Sequence, residues 1–158
     1  MQYRGGVGFA CTTGVYGRAI RLAERLRHPI KGASEWNHVF CCMGDGTVIQ
    51  ARAGGVSLDP IETIKGTLKI VPCPGDPEKF IEFHRNRLGK KYGWLTIASQ
   101  VVDILSPEWF PSFRRADTFD CSGLAGAALW YAGMDYPFPD VYLQRPSDIE
   151  GWVCGPVQ

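Results

Sequence analysis

The stretch TFDCSGLAGAALWYAG, Thr118–Gly133, decides the fold because an acid, a cysteine and a run of small residues meet in it. Asp120 carries the side chain of a helix N-cap, and Gly133 is the residue type that closes a helix. We therefore predict a helix that begins at Cys121 and is closed by Gly133. Its small residues allow this helix to pack closely against a sheet.

Cys121 takes the first position of that helix. Unpaired backbone N–H groups and the positive end of the helix dipole favour a thiolate there. The same N–H groups can donate to an oxyanion that forms beside the sulfur. Ser122 and Gly123 keep the surroundings small, so a substrate backbone can approach. A buried structural cysteine is the alternative, because free cysteine is among the most often buried residues.

A second pattern predicts a β-hairpin. Strands are predicted at His38–Met43 and Thr47–Ala51, on either side of Gly44–Gly46. With a three-residue loop, Gln50 shares a sheet face with His38, and the two side chains can touch. A two-residue turn at the same place puts Gln50 on the opposite face. Both turns are allowed, so the residues alone leave this contact open.

The remaining patterns predict an α+β fold with a small antiparallel sheet. No repeat or linker divides the chain, so we expect one domain over residues 1–158. Further strands are predicted at Val7–Cys11 and Leu68–Val71, and helices at Tyr16–Arg27, at 77–89 behind an Asp76 cap, and at Leu95–Leu105.

Two further expectations concern single residues. His84 falls within the helix predicted at 77–89 and is expected on a partly exposed face. Beyond Gly133, three prolines predict an irregular tail (Pro137, Pro139 and Pro146).

Composition excludes several classes of function. The net charge of +1 provides no field that would hold nucleic acid. The six cysteines show neither C-x-x-C spacing nor a Cys/His cluster, so we expect no metal and reduced thiols, as in a cytosolic protein. The first residues lack the apolar stretch of a secretory signal, and the apolar run Trp94–Leu105 is too short to span a bilayer. We expect a chain that is cytoplasmic as synthesised, without stable membrane insertion.

The motif FDCSGL, Phe119–Leu124, resembles the nucleophile motif of the NlpC/P60 family, papain-like cysteine peptidases of cell-wall peptides. In the usual arrangement of that family the catalytic histidine follows the cysteine. Here every histidine precedes Cys121, namely His28, His38 and His84. The base must therefore lie upstream of Cys121 or be absent.

Upstream, WNHVFCCMGDGTVIQARAGGV, Trp36–Val56, resembles the histidine-bearing hairpin of the family's circularly permuted branch. That branch includes the YiiX-like hydrolases and the lecithin retinol acyltransferase-like proteins. The resemblance implies a permuted papain-like fold with a triad in the order His38, Gln50, Cys121. Many relatives carry an acid or a second histidine in place of Gln50. An amide can orient the imidazole without adding charge, and we expect Gln50→Glu to be tolerated.

Another resemblance concerns residues that surround the nucleophile. LGKKYGW, Leu88–Trp94, is similar to the family's Gly-x-x-Tyr stretch, which implies that Tyr92 lies near the site. Tyr92, Asp120 and Ser122 are accordingly expected to contact the substrate or the oxyanion.

The activity implied by the resemblance is acyl transfer to water without a cofactor. Cys121 and His38 are expected to form a thiolate–imidazolium pair, with a thiol pKa well below the ~8.5 of free cysteine. The expected substrate is a peptide or isopeptide amide, foremost in peptidoglycan stem peptides. To reach a cell wall, the protein would need a partner that delivers it, such as a phage tail, lysis machinery or secretion machinery. Alternatives are an acyltransferase or thioesterase for lipid-like acyl groups, for which Trp94–Phe110 is the candidate hydrophobic segment, and a non-catalytic binding or virion component.

Overall fold

The computed structural model describes residues 3–13, 35–96, 98, 117–135 and 144–155, which form an α+β fold. An antiparallel five-stranded sheet has the order β4-β3-β2-β1-β5, and the short strand β6 pairs in parallel with β7. The strands are β1 Val7–Cys11, β2 His38–Cys42, β3 Thr47–Arg52, β4 Gly55–Pro60, β5 Thr67–Val71, β6 Lys91–Tyr92 and β7 Thr118–Phe119. The helices are α1 Pro77–Arg85, α2 Cys121–Tyr131 and α3 Pro146–Cys154.

The β2–β3 hairpin adopts the three-residue turn. Met43 N–H donates to Thr47 O at 3.0 Å, and Phe40 lies opposite Gln50. Both glycines of Gly44–Gly46 have φ of 87°, a left-handed conformation that side chains other than glycine adopt at a cost. The turn thus selects one of the two registers that the sequence allowed.

The sheet separates two hydrophobic clusters, and the adjacent Cys41 and Cys42 face different ones, as strand alternation requires. The main core lies between the sheet and helices α1, α2 and α3. Phe40 belongs to the cluster on the other face, and alternation places His38 and Gln50 on Phe40's side. The second cluster consists of Ala10, Phe40, Cys42, Val48 and Ile64.

The prediction of an irregular tail is wrong at Pro146, which begins α3. Proline is favoured at a first helical position because its missing N–H would have no helical partner there. The Arg145 N–H donates to Asp148 Oδ2 at 3.0 Å and completes the start of the helix. Ile149 is fully buried in the main core, so this helix is part of the fold. Pro137 and Pro139 lie outside the described residues.

Helix α1 starts as predicted and ends early. Asp76 accepts hydrogen bonds from the N–H groups of Glu78 and Lys79, whereas the helix stops at Arg85, four residues before Gly89. His84 is 1% exposed, so the expectation of a partly exposed face is wrong. Its Nδ1 lies 2.8 Å from Phe80 O, and the Phe80 ring packs against it. Strands β4, β6 and β7 were not predicted.

Two predicted helices lie wholly or mainly outside the described residues. They are Tyr16–Arg27 and Leu95–Leu105, of which residues 95, 96 and 98 are helical. His28 and most of Trp94–Phe110 also lie outside. Of the helices that the structure describes, none has the length and apolar character needed to cross a membrane.

Candidate active site

Cys121 is the first residue of α2, as predicted. Asp120 is the N-cap in an extended conformation, and its Oδ1 accepts the N–H of Gly123 at 2.9 Å. The cap fixes the start of the helix, so the cysteine side chain sits at its N-terminal end. Cys121 is 5% exposed, which leaves the sulfur in a nearly dry environment.

Three backbone N–H groups favour the charged form of the Cys121 sulfur. Two belong to the helix start, at Cys121 itself and Ser122, and the third belongs to Val39 of β2. The pairing of β2 with β3 ends at Phe40 and Gln50, one residue short of Val39. The sulfur therefore meets the sheet at the end of this pairing, next to His38 in sequence. Sequence reasoning found the helix N–H groups and missed the contribution of Val39.

His38 and Gln50 contact each other directly. Nε2 of His38 lies 2.7 Å from Oε1 of Gln50, and Gln50 is completely buried while His38 is 8% exposed. This contact follows from the three-residue turn. Among the residues that the structure describes, no hydrogen bond joins the Cys121 thiol to the imidazole. The sulfur instead approaches the backbone of the residue that follows His38.

Asp59 of β4 determines which way the Gln50 amide points. Gln50 Nε2 donates to Asp59 Oδ2 at 2.8 Å, and Ser57 Oγ donates to the same oxygen at 2.6 Å. An ionised carboxylate only accepts, so the amide nitrogen faces Asp59 and the amide oxygen faces His38. The imidazole must then donate from Nε2, which leaves the lone pair on Nδ1. Nδ1 is thus the basic nitrogen of His38.

Burial opposes charge on both Cys121 and His38, contrary to the expected thiolate–imidazolium pair. Desolvation raises the pKa of the Cys121 thiol to about 12, and the nearby Asp120 adds to this effect. Desolvation lowers the pKa of His38 to about 4, against a smaller opposing effect of its hydrogen bond to Gln50. Both shifts favour a neutral thiol and a neutral imidazole in the resting site. The backbone N–H groups lower the pKa of the thiol by less than the loss of water around the sulfur raises it.

Tyr92 lies near Cys121. Pairing of β6 with β7 puts it opposite Phe119, which precedes the N-cap. Burial raises the pKa of the Tyr92 hydroxyl, and so do the neighbouring Cys121 and Asp120. Gly93 allows this close approach, since a Cβ there would lie 3.1 Å from the backbone nitrogen of Asp120.

The Ser122 side chain has a structural contact. Its hydroxyl donates to the backbone oxygen of Gln144 at 2.6 Å and ties α2 to the residues before α3. Only its backbone N–H favours charge on the Cys121 sulfur. Asp120 is 2% exposed and caps the helix. A contact of either side chain with substrate remains a prediction.

Asp59 and Ser57 are the polar residues that sequence reasoning missed. The available signal was the alternation S-x-D after the glycine pair Gly54-Gly55, which indicates a second hairpin. Across the part of the chain that the structure describes, no three His, Cys, Asp or Glu side chains cluster as metal ligands. Compared with models of known protein families and with curated protein sequences, the chain matches none.

Proposed function

We propose that this chain is a cysteine hydrolase with a permuted papain-like fold, in which Cys121 is the nucleophile, His38 the base and Gln50 the orienting residue. The observation that carries the proposal is the 2.7 Å contact between His38 Nε2 and Gln50 Oε1. It supports a His38 ring with an unprotonated Nδ1, and His38 directly precedes Val39, whose N–H meets the helix-start sulfur. A base, its orienting group and a nucleophile at a helix N-terminus are the parts that acyl transfer needs.

The first half of the reaction forms a thioester. The sulfur turns from the Val39 N–H toward the imidazole, and Nδ1 of His38 takes the thiol proton as the sulfur attacks the carbonyl carbon. The C=O electron pair moves to oxygen, where the helix-start N–H groups of Cys121 and Ser122 stabilise the charge. The C–N bond then breaks, and the leaving amine takes the proton from His38.

The second half releases the acid. His38 removes a proton from a water molecule, the resulting hydroxide attacks the thioester carbonyl, and the C–S bond breaks. The proton returns from His38 to the departing sulfur, which restores the neutral pair. Because both groups rest neutral, proton transfer accompanies the attack on the carbonyl. This resembles the serine–histidine mode of activation more than a preformed ion pair.

For the substrate, we propose a peptide or isopeptide amide, with peptidoglycan stem peptides first on the strength of the family resemblance. A second candidate is an ester or thioester of a lipid-like acyl group. It is favoured by the apolar side chains of Trp94 and Leu95, which are 44% and 50% exposed just beyond Tyr92. The Tyr92 and Trp94 rings contact each other with centroids 5.0 Å apart, which connects this apolar surface to the site.

The test measures hydrolysis of two substrate sets by the full chain: muropeptides analysed by mass spectrometry, and acyl thioesters of increasing chain length. Cys121→Ser is expected to lower turnover on the order of 10³-fold or more, because a serine hydroxyl gives up its proton to this base far less readily than the thiol does. The matched control is Cys73→Ser, since Cys73 is a half-buried free thiol that is not among the site residues. Equal turnover by Cys121→Ser and wild type on the preferred substrate would exclude Cys121 as nucleophile. Absence of turnover on both sets, with retained ligand binding, would favour the non-catalytic alternative.

A further inference from the structure

A row of hydrogen-bonded polar side chains begins at His38, the candidate base, and crosses three neighbouring strands. It runs from His38 on β2 to Gln50 on β3 at 2.7 Å, and from Gln50 to Asp59 on β4 at 2.8 Å. Ser57 completes it by donating to Asp59 at 2.6 Å. Gln50 pairs with Ser57 in the β3–β4 register, so the row lies on one sheet face. Within the part of the chain that the structure describes, Asp59 is thus connected to the imidazole only through the Gln50 amide.

We infer that Asp59 is a positioning residue that sets the direction of this hydrogen-bond row and thereby the tautomer of His38. Its consequence for catalysis rests on the proposed function, in which Nδ1 must be free to take the thiol proton. The tautomer itself does not depend on any activity. Among the described residues, the Asp59 carboxylate accepts hydrogen bonds from Gln50 and Ser57 and none from His38, so we expect its effect on the ring to pass through Gln50.

The argument depends on the difference between a carboxylate and an amide. A primary amide can be reversed, so a row made only of amides and hydroxyls can run in either direction. In the reversed row the Gln50 NH₂ would donate to His38 Nε2, and the ring proton would move to Nδ1. An ionised Asp59 forbids this reversal because it has no proton to donate. Hydrogen bonding from Ser57 lowers the pKa of the Asp59 carboxyl, and Gln50 and Arg52 contribute, so it is ionised at neutral pH.

The same contact revises the expectation that Gln50→Glu is tolerated. Two carboxylates separated by the 2.8 Å of the present Gln50–Asp59 contact would repel each other unless they shared a proton. If the two carboxyl groups share a proton, the carboxyl that faces His38 can be either protonated or ionised, so the tautomer of the ring is no longer fixed. The double variant Gln50→Glu/Asp59→Asn exchanges the amide and the carboxylate between the two positions. It removes the repulsion and keeps one carboxylate and one amide. In it the Asn NH₂ donates to Glu, and Glu accepts from Nε2 of His38.

The direct test is ¹⁵N NMR of the His38 ring in the full chain at neutral pH. The wild type is expected to show a protonated Nε2 and an unprotonated Nδ1. Asp59→Asn is expected to give a mixture of the two tautomers, because either row direction is then allowed. The control is Glu62→Gln, an exposed acid in the turn that follows β4. Identical ring shifts in wild type and Asp59→Asn, with both folded, would overturn the inference whatever the activity.

Turnover on the preferred substrate supplies the second measurement. Gln50→Glu and Asp59→Asn are each expected to lower kcat roughly 10-fold or more, and the double variant to recover most of that loss. Glu62→Gln is expected to match the wild type. A double variant no better than the worse single variant would contradict the positioning role. If the wild type proves inactive on every substrate, the proposed function fails while the NMR result still decides the inference.

Discussion

The His38 imidazole contacts the Gln50 amide at 2.7 Å across neighbouring strands, although the two residues are twelve positions apart in sequence. This contact makes Nε2 the donor and leaves the lone pair on Nδ1, the nitrogen to which we assign the role of base. It exists because the turn between the strands has three residues. The Cys121 sulfur approaches the same strand end from the helix, through the N–H of Val39.

The Cys121 thiol is expected to be alkylated slowly below about pH 8, because burial raises its pKa well above that of free cysteine. The measurement is the rate of iodoacetamide labelling against pH, followed at Cys121 by peptide mass spectrometry. Cys154, an exposed thiol, provides the internal comparison. A Cys121 rate that rises already at acidic pH would show that a thiolate–imidazolium pair forms after all.

Removal of the base should cost more than removal of its orienting group. We expect His38→Ala to lower turnover ~10³-fold or more and Gln50→Ala roughly 10–100-fold, since Gln50 carries no charge and only holds the ring. Steady-state kinetics on the preferred substrate measure both. His84→Gln is the control, because His84 is a buried histidine on α1 and has no role in the mechanism. Equal losses for Gln50→Ala and His38→Ala would indicate that Gln50 does more than orient.

The protein should lose stability as pH falls from about 6.5 to about 4. Desolvation lowers the pKa of both His38 and His84 to about 4, so in this window the unfolded chain binds protons that the folded protein does not. Each histidine contributes a slope of up to roughly 1.4 kcal/mol per pH unit. Below the folded pKa both states are protonated, and the slope disappears.

Urea denaturation at several pH values measures this effect as the free energy of unfolding. His84→Gln removes one of the two buried groups and should reduce the slope by about half. An unchanged slope in that variant would mean that His84 is not the group that titrates.

Gly8 on β1 is required by the ring of Phe40 on the adjacent strand. A Cβ on Gly8 would overlap the Phe40 ring, whose centroid lies 6.2 Å from that of His38. We expect Gly8→Ala to destabilise the protein by about 1–3 kcal/mol and Phe40→Leu to relieve part of that cost. Urea denaturation of both single variants and the double variant measures the coupling.

Gly54→Ala serves as the control for this cycle, because a Cβ on Gly54 meets nothing within 4 Å. If Gly8→Ala is no more destabilising than Gly54→Ala, the Phe40 ring moves freely and does not constrain this face.

Local chemistry explains why parts of the site could be predicted from the sequence. The Asp120 cap and the start of α2 at Cys121 depend on residues within one helical turn. The strands on either side of Gly44–Gly46 depend on alternation and on a turn rich in glycine. These features place a cysteine at a helix start and a histidine at a strand start before any long-range contact is known.

Tertiary structure determined the protonation of Cys121 and His38 and the hydrogen-bond partner of Gln50. Strand β4 pairs with β3 and brings Asp59 to Gln50, a contact that no local pattern of the first hairpin specifies. Packing removes water from Cys121 and His38, and this desolvation outweighs the helix N-terminus that favours a thiolate. Propensity and capping act over a few residues, so the sequence alone could predict the positions of these groups. Solvation and hydrogen-bond direction depend on distant segments, so only the folded chain determines their protonation.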